Sequence, residues 1–298
     1  MADENRPRTP ISADWILKRI QDEKEVRLRN AIIEGDIDLD KLDLPTESIE
    51  QTELRKKMAW AEDVKIVQSS IKITNSTIQG RLDFSDLTFK RDTRFDGVTF
   101  SEGAGFKEAT FSGDTGFKEA TFKREAEFDG SKFEGDVLTF RNATFILAQS
   151  QEKACRKAKN VLEKNGDREE AGYHFYREME GKRKQKPWYL RYPEYVFIQL
   201  IFGYGVHPLR LWACWIGFVV LFAVVYWFGH GIDAVASQLQ GDATLKDYIW
   251  FSIATAVTPG YAGYKPTTDF KLVAGLEAIF GTFMWASFIA TFARKYMR

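Results

Sequence analysis

Residues 106 to 122 read FKEATFSGDTGFKEATF, so the hexapeptide FKEATF occurs at 106–111 and again at 117–122. Its phenylalanines belong to a longer series whose spacing alternates between five and six residues, with one step of seven. The series consists of Phe84, Phe89, Phe95, Phe100, Phe106, Phe111, Phe117, Phe122, Phe128, Phe133, Phe140 and Phe145. The chain therefore contains an eleven-residue repeat built from two shorter halves.

An eleven-residue period also occurs in right-handed helical coiled coils. In a helix, however, a five-residue step turns the chain by about 140°, which would place alternate phenylalanines on opposite faces. Glycines within the repeats would each cost a helix about 1 kcal/mol. The pattern instead predicts a solenoid of short strands and tight turns, with the phenylalanines stacked on an inner face.

A second uncharged position lies two residues before each phenylalanine, and it holds Ala, Ser or Thr in eight of the twelve repeats. A narrow core requires such a small inward-facing residue. The sequence here resembles the pentapeptide-repeat proteins, which implies a right-handed quadrilateral β-helix over residues 71–145, in three coils, with an earlier piece at about 35–44. We expect a helix inserted at 46–64 and a cytoplasmic location for the whole N-terminal region, 1–146.

The period changes after the repeats. Ala154, Ala158 and Val161 recur at helical spacing, and a turn at 165–167 precedes a second helical pattern. This pattern predicts a cytoplasmic helical hairpin at 147–186 that caps the open end of the β-helix.

Charge is unevenly distributed along the chain. Lys and Arg number 42 and Asp and Glu 42, so the formal net charge is zero, which argues against a general nucleic-acid binder. An aromatic content of 14% excludes extended disorder. Leu211 to Phe228 carries no charge, and Leu272 to Phe292 carries only Glu277. Each run is long enough to cross about 30 Å of hydrocarbon as a helix.

Cysteines and histidines are few and scattered. Cys155 and Cys214 are far apart, as are the three histidines, so neither a disulfide scaffold nor a Cys- or His-based metal site is expected. No constellation typical of an enzyme is visible, and no cofactor is expected. The polar N-terminus, MADENRPRTP, lacks the apolar core of a signal peptide, so we expect this end to stay in the cytoplasm.

Basic residues flank the apolar runs. Residues 181–191, GKRKQKPWYLR, hold five basic groups and precede an aromatic-rich stretch, which predicts an interfacial helix at 187–206. Arg294, Lys295 and Arg298 follow the second run. We therefore expect a multi-pass protein of the cell membrane with both termini cytoplasmic, whose basic clusters contact lipid rather than nucleic acid.

The segment between the apolar runs has its own pattern. Thr244-Leu-Lys-Asp247 has the form of a capping box, and the apolar residues that follow, to Val257, are too few to cross a bilayer but enough to enter it and return. They lead into TPGYAGYKP at 258–266. This region resembles the two-transmembrane potassium channels, with Thr258, Pro259, Gly260, Tyr261 and Ala262 in the place of the family's Thr-Val-Gly-Tyr-Gly filter.

The resemblance implies a homotetrameric pore domain at 207–298. It assigns an outer helix at 208–230, a pore helix at 245–257, the filter at 258–262 and an inner helix at 270–295. The fold expected for the whole chain is thus a multidomain membrane protein, in which the β-helix and hairpin precede an all-α two-transmembrane pore domain with a re-entrant pore loop. Potassium would pass through rings of filter carbonyl oxygens.

Two positions depart from the family's filter. Pro259 lacks an N–H that could brace the filter, and Ala262 replaces a glycine. A deformable filter would pass sodium as well as potassium, so a non-selective channel is one alternative. A membrane-anchored β-helical scaffold or sensor with a non-conducting pore is another. In either channel interpretation the β-helix is an assembly or gating module, with no gating ligand or protein partner evident.

Three residues are candidates for pore support or gating. Glu277 is the one ionisable residue of its apolar run, and it either bonds the back of the pore loop or makes a structural hydrogen bond between helices. Thr255 lies near the end of the pore helix. Gly281 lies near the family's hinge glycine, although Gly275 and Gly281 could instead be close-packing positions.

Overall fold

The computed structural model describes residues 9–48, 56–57, 63–206, 208–235, 243–257 and 263–296. The chain divides into two compact units, Met1–Trp188 and Tyr189–Arg298.

Short strands form four sheets in the described part of the first unit, and neighbouring strands within a sheet come from successive coils. The first sheet contains Thr9–Ser12, Ala31–Glu34, Thr77–Ile78, Thr99–Phe100, Thr121–Phe122 and Thr144–Phe145. The second contains Val26–Arg29, Ile71–Thr74, Thr93–Arg94, Thr115–Gly116 and Leu138–Thr139. The third contains Thr46–Ser48, Asp63–Val67, Leu87–Phe89, Thr110–Phe111 and Lys132–Phe133. The fourth contains Ile37–Asp38, Leu82–Asp83, Ala104–Gly105 and Ala126–Glu127.

The phenylalanines form columns inside this β-helix. The strands pair in parallel, with Phe89 opposite Phe111 and Phe111 opposite Phe133. Each coil therefore contains two of the eleven-residue repeats. The rings of Phe100 and Phe122 stack with centroids 4.7 Å apart, and so do those of Phe122 and Phe145. Each buried ring removes enough apolar surface to contribute about 2 kcal/mol or more. The β-helix expected from the repeat is confirmed.

The small position and the turns complete the repeat. Ala109 and Ala120 are fully buried, and the residues at the equivalent small positions are buried throughout the repeats. A turn residue with left-handed backbone recurs every eleven or twelve residues; these residues are Asp86, Gly97, Glu108, Glu119, Gly130 and Asn142. Asp, Gly, Glu and Asn therefore all occur at this turn position.

The β-helix begins earlier than residue 71. Val26–Arg29, Ala31–Glu34 and Ile37–Asp38 form a first coil, whose buried residues are aliphatic rather than Phe. A helix, Ala13–Gln21, covers this end, and its first turn is capped because the Ser12 hydroxyl accepts from the amide of Asp14.

The expected helix at 46–64 is wrong at both of its ends. Thr46–Ser48 and Asp63–Val67 are antiparallel strands of the third sheet. Asp63–Val67 also pairs with Leu87–Phe89 of the next coil. As a strand it buries Val64 and Val67 in the core, where an exposed helix would leave them in water. Residues 49–55 and 58–62 lie outside the described residues.

Two helices follow the last coil, Ala148–Lys164 and Arg168–Lys184. Ala154, Ala158 and Leu162 of the first pack into the same core as the phenylalanines. Polar contacts fasten the second: the Tyr173 hydroxyl accepts from the amide of Asn142 at 2.9 Å. The hairpin thus covers the end of the β-helix.

The second unit is mainly helical. Its described helices are Trp188–Pro193, Glu194–Ile201 (a π-helical turn), the 3₁₀ turns Gly203–Gly205 and Thr268–Phe270, Pro208–Gly229, Leu245–Val257 and Lys271–Tyr296. We call Pro208–Gly229 the outer helix, Leu245–Val257 the pore helix and Lys271–Tyr296 the inner helix. Tyr204 has a left-handed φ of 54° and breaks the segment expected as a single interfacial helix.

Candidate functional site

The outer and inner helices are long and apolar enough to cross a membrane. The candidate membrane spans are Leu209–Gly229 and Thr268–Ala293, with mean hydropathies of 2.2 and 1.7 in their most apolar parts. Only 22% of each of these parts is buried within the chain. Many of their apolar side chains, such as Ile216 and Ile279, are exposed on the chain. Surfaces of this kind are stable against lipid or against other copies of the chain.

The pore helix packs between the two spanning helices. It has 13 residues, so it is about 20 Å long and cannot cross the hydrocarbon alone. Its start is capped as the sequence suggested, because the carboxylate of Asp247 accepts from the amide of Thr244 at 2.8 Å and from the Thr244 hydroxyl at 2.6 Å. These hydrogen bonds from Thr244 hold the pKa of Asp247 below its usual value.

The five filter candidates, Thr258 to Ala262, lie outside the described residues. The chain on both sides of them is anchored. The pore helix ends at Val257, and Tyr264–Pro266 pairs antiparallel with Ile232–Ala234 just beyond the outer helix. The amide of Val235 donates to the carbonyl of Gly263 at 2.9 Å. The two ends of the filter segment are thus fixed to the pore helix and to the end of the outer helix.

Glu277 lies where three helices meet. It is fully buried, with an exposed fraction of 0%. The Tyr226 hydroxyl of the outer helix lies 2.7 Å from one carboxyl oxygen, and the Ser252 hydroxyl of the pore helix contacts the other. Ser252 also donates to the carbonyl of Val219 at 2.9 Å. Glu277 thus makes hydrogen bonds to the helices on either side of it, and the loop at 258–262, the other partner that the sequence left open, lies outside the described residues.

The glycine candidates differ from each other. A Cβ on Gly281 would lie 2.3 Å from the carbonyl oxygen of Ala256 in the pore helix, so the inner helix approaches the pore helix there as closely as backbone allows. A Cβ on Gly275 would meet no atom within 4 Å. Gly281 is therefore a close-packing position. Thr255 is buried on the pore helix near its C-terminal end.

The sequence did not predict the two hydrogen-bonding partners of Glu277, Tyr226 and Ser252. The sequence signal for them is weak, since each is only one hydroxyl within an apolar segment. Phe270 is a third residue that was missed. Its ring lies against Gly229 and Gly231, and a Cβ on Gly229 would lie 2.1 Å from the ring.

The folded arrangement is that of an ion channel domain preceded by a repeat domain. Residues 213–298 match the family described as ion channel, of the two-transmembrane type, and residues 95–144 match pentapeptide repeats, in nine copies. The chain is thus a fusion of a pentapeptide-repeat β-helix with a two-transmembrane channel domain. No curated protein and no solved structure matches the chain.

Proposed function

We propose that the chain forms a homotetrameric cation channel that conducts potassium through a filter made by Thr258, Pro259, Gly260, Tyr261 and Ala262 of four copies. The match of residues 213–298 to ion channels carries this proposal. It is supported by the short pore helix, which lies between two spanning helices and leads directly into the filter segment. Backbone carbonyls in that segment would replace the hydration shell of the ion.

Fourfold assembly explains the apolar surfaces that a single chain leaves exposed. One chain supplies a quarter of a ring, and head-to-tail contacts around one axis close it. Exposed apolar residues occur on the pore helix as well, including Ile249, Trp250 and Val257. A helix that cannot span the bilayer is stable at membrane depth only where protein or a water-filled cavity surrounds it, so these side chains favour burial against other copies.

The pore helix also favours cations. In the tetramer its C-terminal end, at Val257, would face the central cavity, where the negative end of the helix dipole stabilises a cation. Potassium rather than sodium is proposed because the described residues on both sides of the filter segment are held in place, on one side by the pore helix that ends at Val257 and on the other by the hydrogen bond from Val235 to Gly263.

We place the protein in the cell membrane with both termini cytoplasmic, and the β-helix and hairpin as its assembly or gating module. The exposed aromatic side chains of Trp188, Tyr189 and Tyr192 support an interfacial position for the segment that follows the hairpin. Deleting residues 1–145 should change either the yield of tetramers or the open probability. A truncated chain that assembles and gates like the full chain would rule out both roles for the β-helix.

A flux assay tests conduction. The full-length chain is reconstituted in potassium-loaded liposomes, and efflux is followed after a proton carrier is added. Wild type should release potassium, whereas Gly260→Asp should not, because its carboxylate would obstruct the filter. Asp269→Asn, which changes an exposed charge in the same unit, is the matched control and should conduct normally. Absence of flux from well-folded wild-type tetramers would favour the scaffold or sensor alternative.

A further inference from the structure

Within the channel proposed above, we infer that Glu277 is a neutral hydrogen-bond donor that positions the pore helix, giving its carboxyl proton to Ser252. The inference rests on the proposed function for its consequence in conduction. The hydrogen-bonding geometry on which it depends is independent of that function. Glu277 does not touch the permeating ion and acts through the pore helix.

The argument begins with a count of protons. The Ser252 hydroxyl has one proton, and two oxygen atoms lie within hydrogen-bonding reach of it, the carbonyl of Val219 and one oxygen of Glu277. The Val219 carbonyl can only accept. If Glu277 were a carboxylate it could only accept too, and the single Ser252 proton would have to serve both short contacts.

A protonated carboxyl removes this conflict. Glu277 then donates to Ser252, Ser252 donates to Val219, and Tyr226 donates to the second carboxyl oxygen at 2.7 Å. Every polar atom of the group has a partner, and no net charge is buried at membrane depth. The group is complete within one subunit, because Glu277, Ser252 and Tyr226 are all fully buried before any copy is added.

The position of the group explains how it acts. Ser252 and Ala256 lie one turn apart on the pore helix, and they face Glu277 and Gly281, one turn apart on the inner helix. The contact between Ser252 and Glu277 is a hydrogen bond, and the contact between Ala256 and Gly281 is direct backbone packing. Together they fix the depth and rotation of the helix whose C-terminal end leads into the filter. A shift of that helix would move the filter carbonyls with it.

The first experiment compares two variants at one position. Glu277→Gln preserves the shape, an N–H donor toward Ser252 and a C=O acceptor for Tyr226, whereas Glu277→Ala leaves both hydroxyls without the carboxyl. Potassium flux is measured per tetramer recovered by size exclusion, together with the reversal potential in mixed potassium and sodium. Glu277→Gln should stay within about twofold of wild type, and Glu277→Ala should lose on the order of tenfold in flux and in potassium preference.

A serine pair provides the matched control. Ser252→Ala should lower flux and potassium preference, whereas Ser287→Ala, the same change on the inner helix, should lower neither. If Glu277→Gln is as impaired as Glu277→Ala, an ionised carboxylate is required and the inference is wrong. Wild-type behaviour in both Glu277→Ala and Ser252→Ala would equally overturn the positioning role.

Infrared spectroscopy tests the proton without any flux. Near neutral pH the exposed carboxylic acids are ionised, so the difference spectrum of wild type minus Glu277→Gln should contain the C=O stretch of one protonated carboxyl. A difference spectrum with only carboxylate bands would overturn the inference. Because this measurement uses folded protein alone, it remains decisive if the wild type does not conduct, which would refute the proposed function instead.

Discussion

The backbone of Ala256 lies so close to Gly281 that a Cβ added to the glycine would be 2.3 Å from the Ala256 carbonyl oxygen. The atom in the way is backbone, which cannot rotate aside as a flexible side chain would. The contact joins the last turn of the pore helix to the middle of the inner helix. Gly281 therefore lets the inner helix pack directly against the last turn of the pore helix.

Replacing this glycine should displace the pore helix. We expect Gly281→Ala to reduce potassium flux per tetramer by on the order of tenfold, because overpacking at a rigid contact costs about 1–3 kcal/mol. Gly275→Ala is the matched control on the same helix. It meets no atom within 4 Å, and alanine is the better helix former, so flux and stability should be kept. Equal loss in both variants would contradict a specific contact at Gly281.

The phenylalanine columns should be most sensitive at their centre. Phe117 is fully buried and its ring stacks on that of Phe140 with centroids 4.9 Å apart. Phe117→Ala should destabilise the β-helix by about 3–5 kcal/mol. Phe133 stacks on Phe111 but is only partly buried, so Phe133→Ala should cost clearly less. Thermal unfolding of the full-length chain measures both, and equal shifts of the midpoint would show that the columns are not the core.

His174 should make the first unit sensitive to acid. Burial, with the nearby positive charges of Arg177 and Arg141, lowers the pKa of His174 to about 3. The folded chain therefore binds fewer protons than the unfolded chain between about pH 6.5 and pH 3. The free energy of unfolding is highest above this range and decreases as the pH falls through it. From pH 7 to pH 5 the loss should be about 2 kcal/mol.

His174→Gln removes this titration while keeping an acceptor for the amide of Phe140, which lies 3.5 Å from the imidazole. The unfolding midpoint of the variant should therefore depend less on pH between 7 and 5 than that of wild type. Parallel pH profiles for the two proteins would contradict the assignment.

Glu178 holds the two helices of the hairpin together. Its buried carboxylate contacts Arg156, Lys159 and Lys182 at 3.0, 3.1 and 2.9 Å. Burial raises the pKa of Glu178, but the hydrogen bonds from these cations outweigh it and keep the pKa below its usual value. Glu178→Gln should destabilise the unit by about 1–3 kcal/mol, because Lys159 and Lys182 then lose this anion and Arg156 keeps only its contact with Glu152. Glu169→Gln, on an exposed site of the same helix, should have little effect on the unfolding midpoint.

The sequence predicted those features whose signal repeats or is exceptional in its surroundings. Twelve phenylalanines in register identified the β-helix, and Glu277 was visible as the lone charge in an apolar run. The first coil was largely missed because its core positions, such as Val26 and Ile33, are aliphatic and carry no FKEATF-like signature. Tyr226 and Ser252 were missed because a hydroxyl is tolerated at many depths, and each meets Glu277 only after the helices have packed.

The reversal potential in mixed potassium and sodium tests the central claim most directly. The full-length chain is placed in a planar bilayer with potassium chloride on one side and, on the other, a more dilute mixture of sodium chloride with a little potassium chloride, so that potassium, non-selective cation and chloride currents reverse at different potentials. A potassium channel should give currents that reverse near the potassium equilibrium potential. Currents that reverse at the potential expected for equal permeation of potassium and sodium would contradict potassium selectivity, and currents that reverse at the chloride potential, or no currents from intact tetramers, would contradict the proposal of a cation channel.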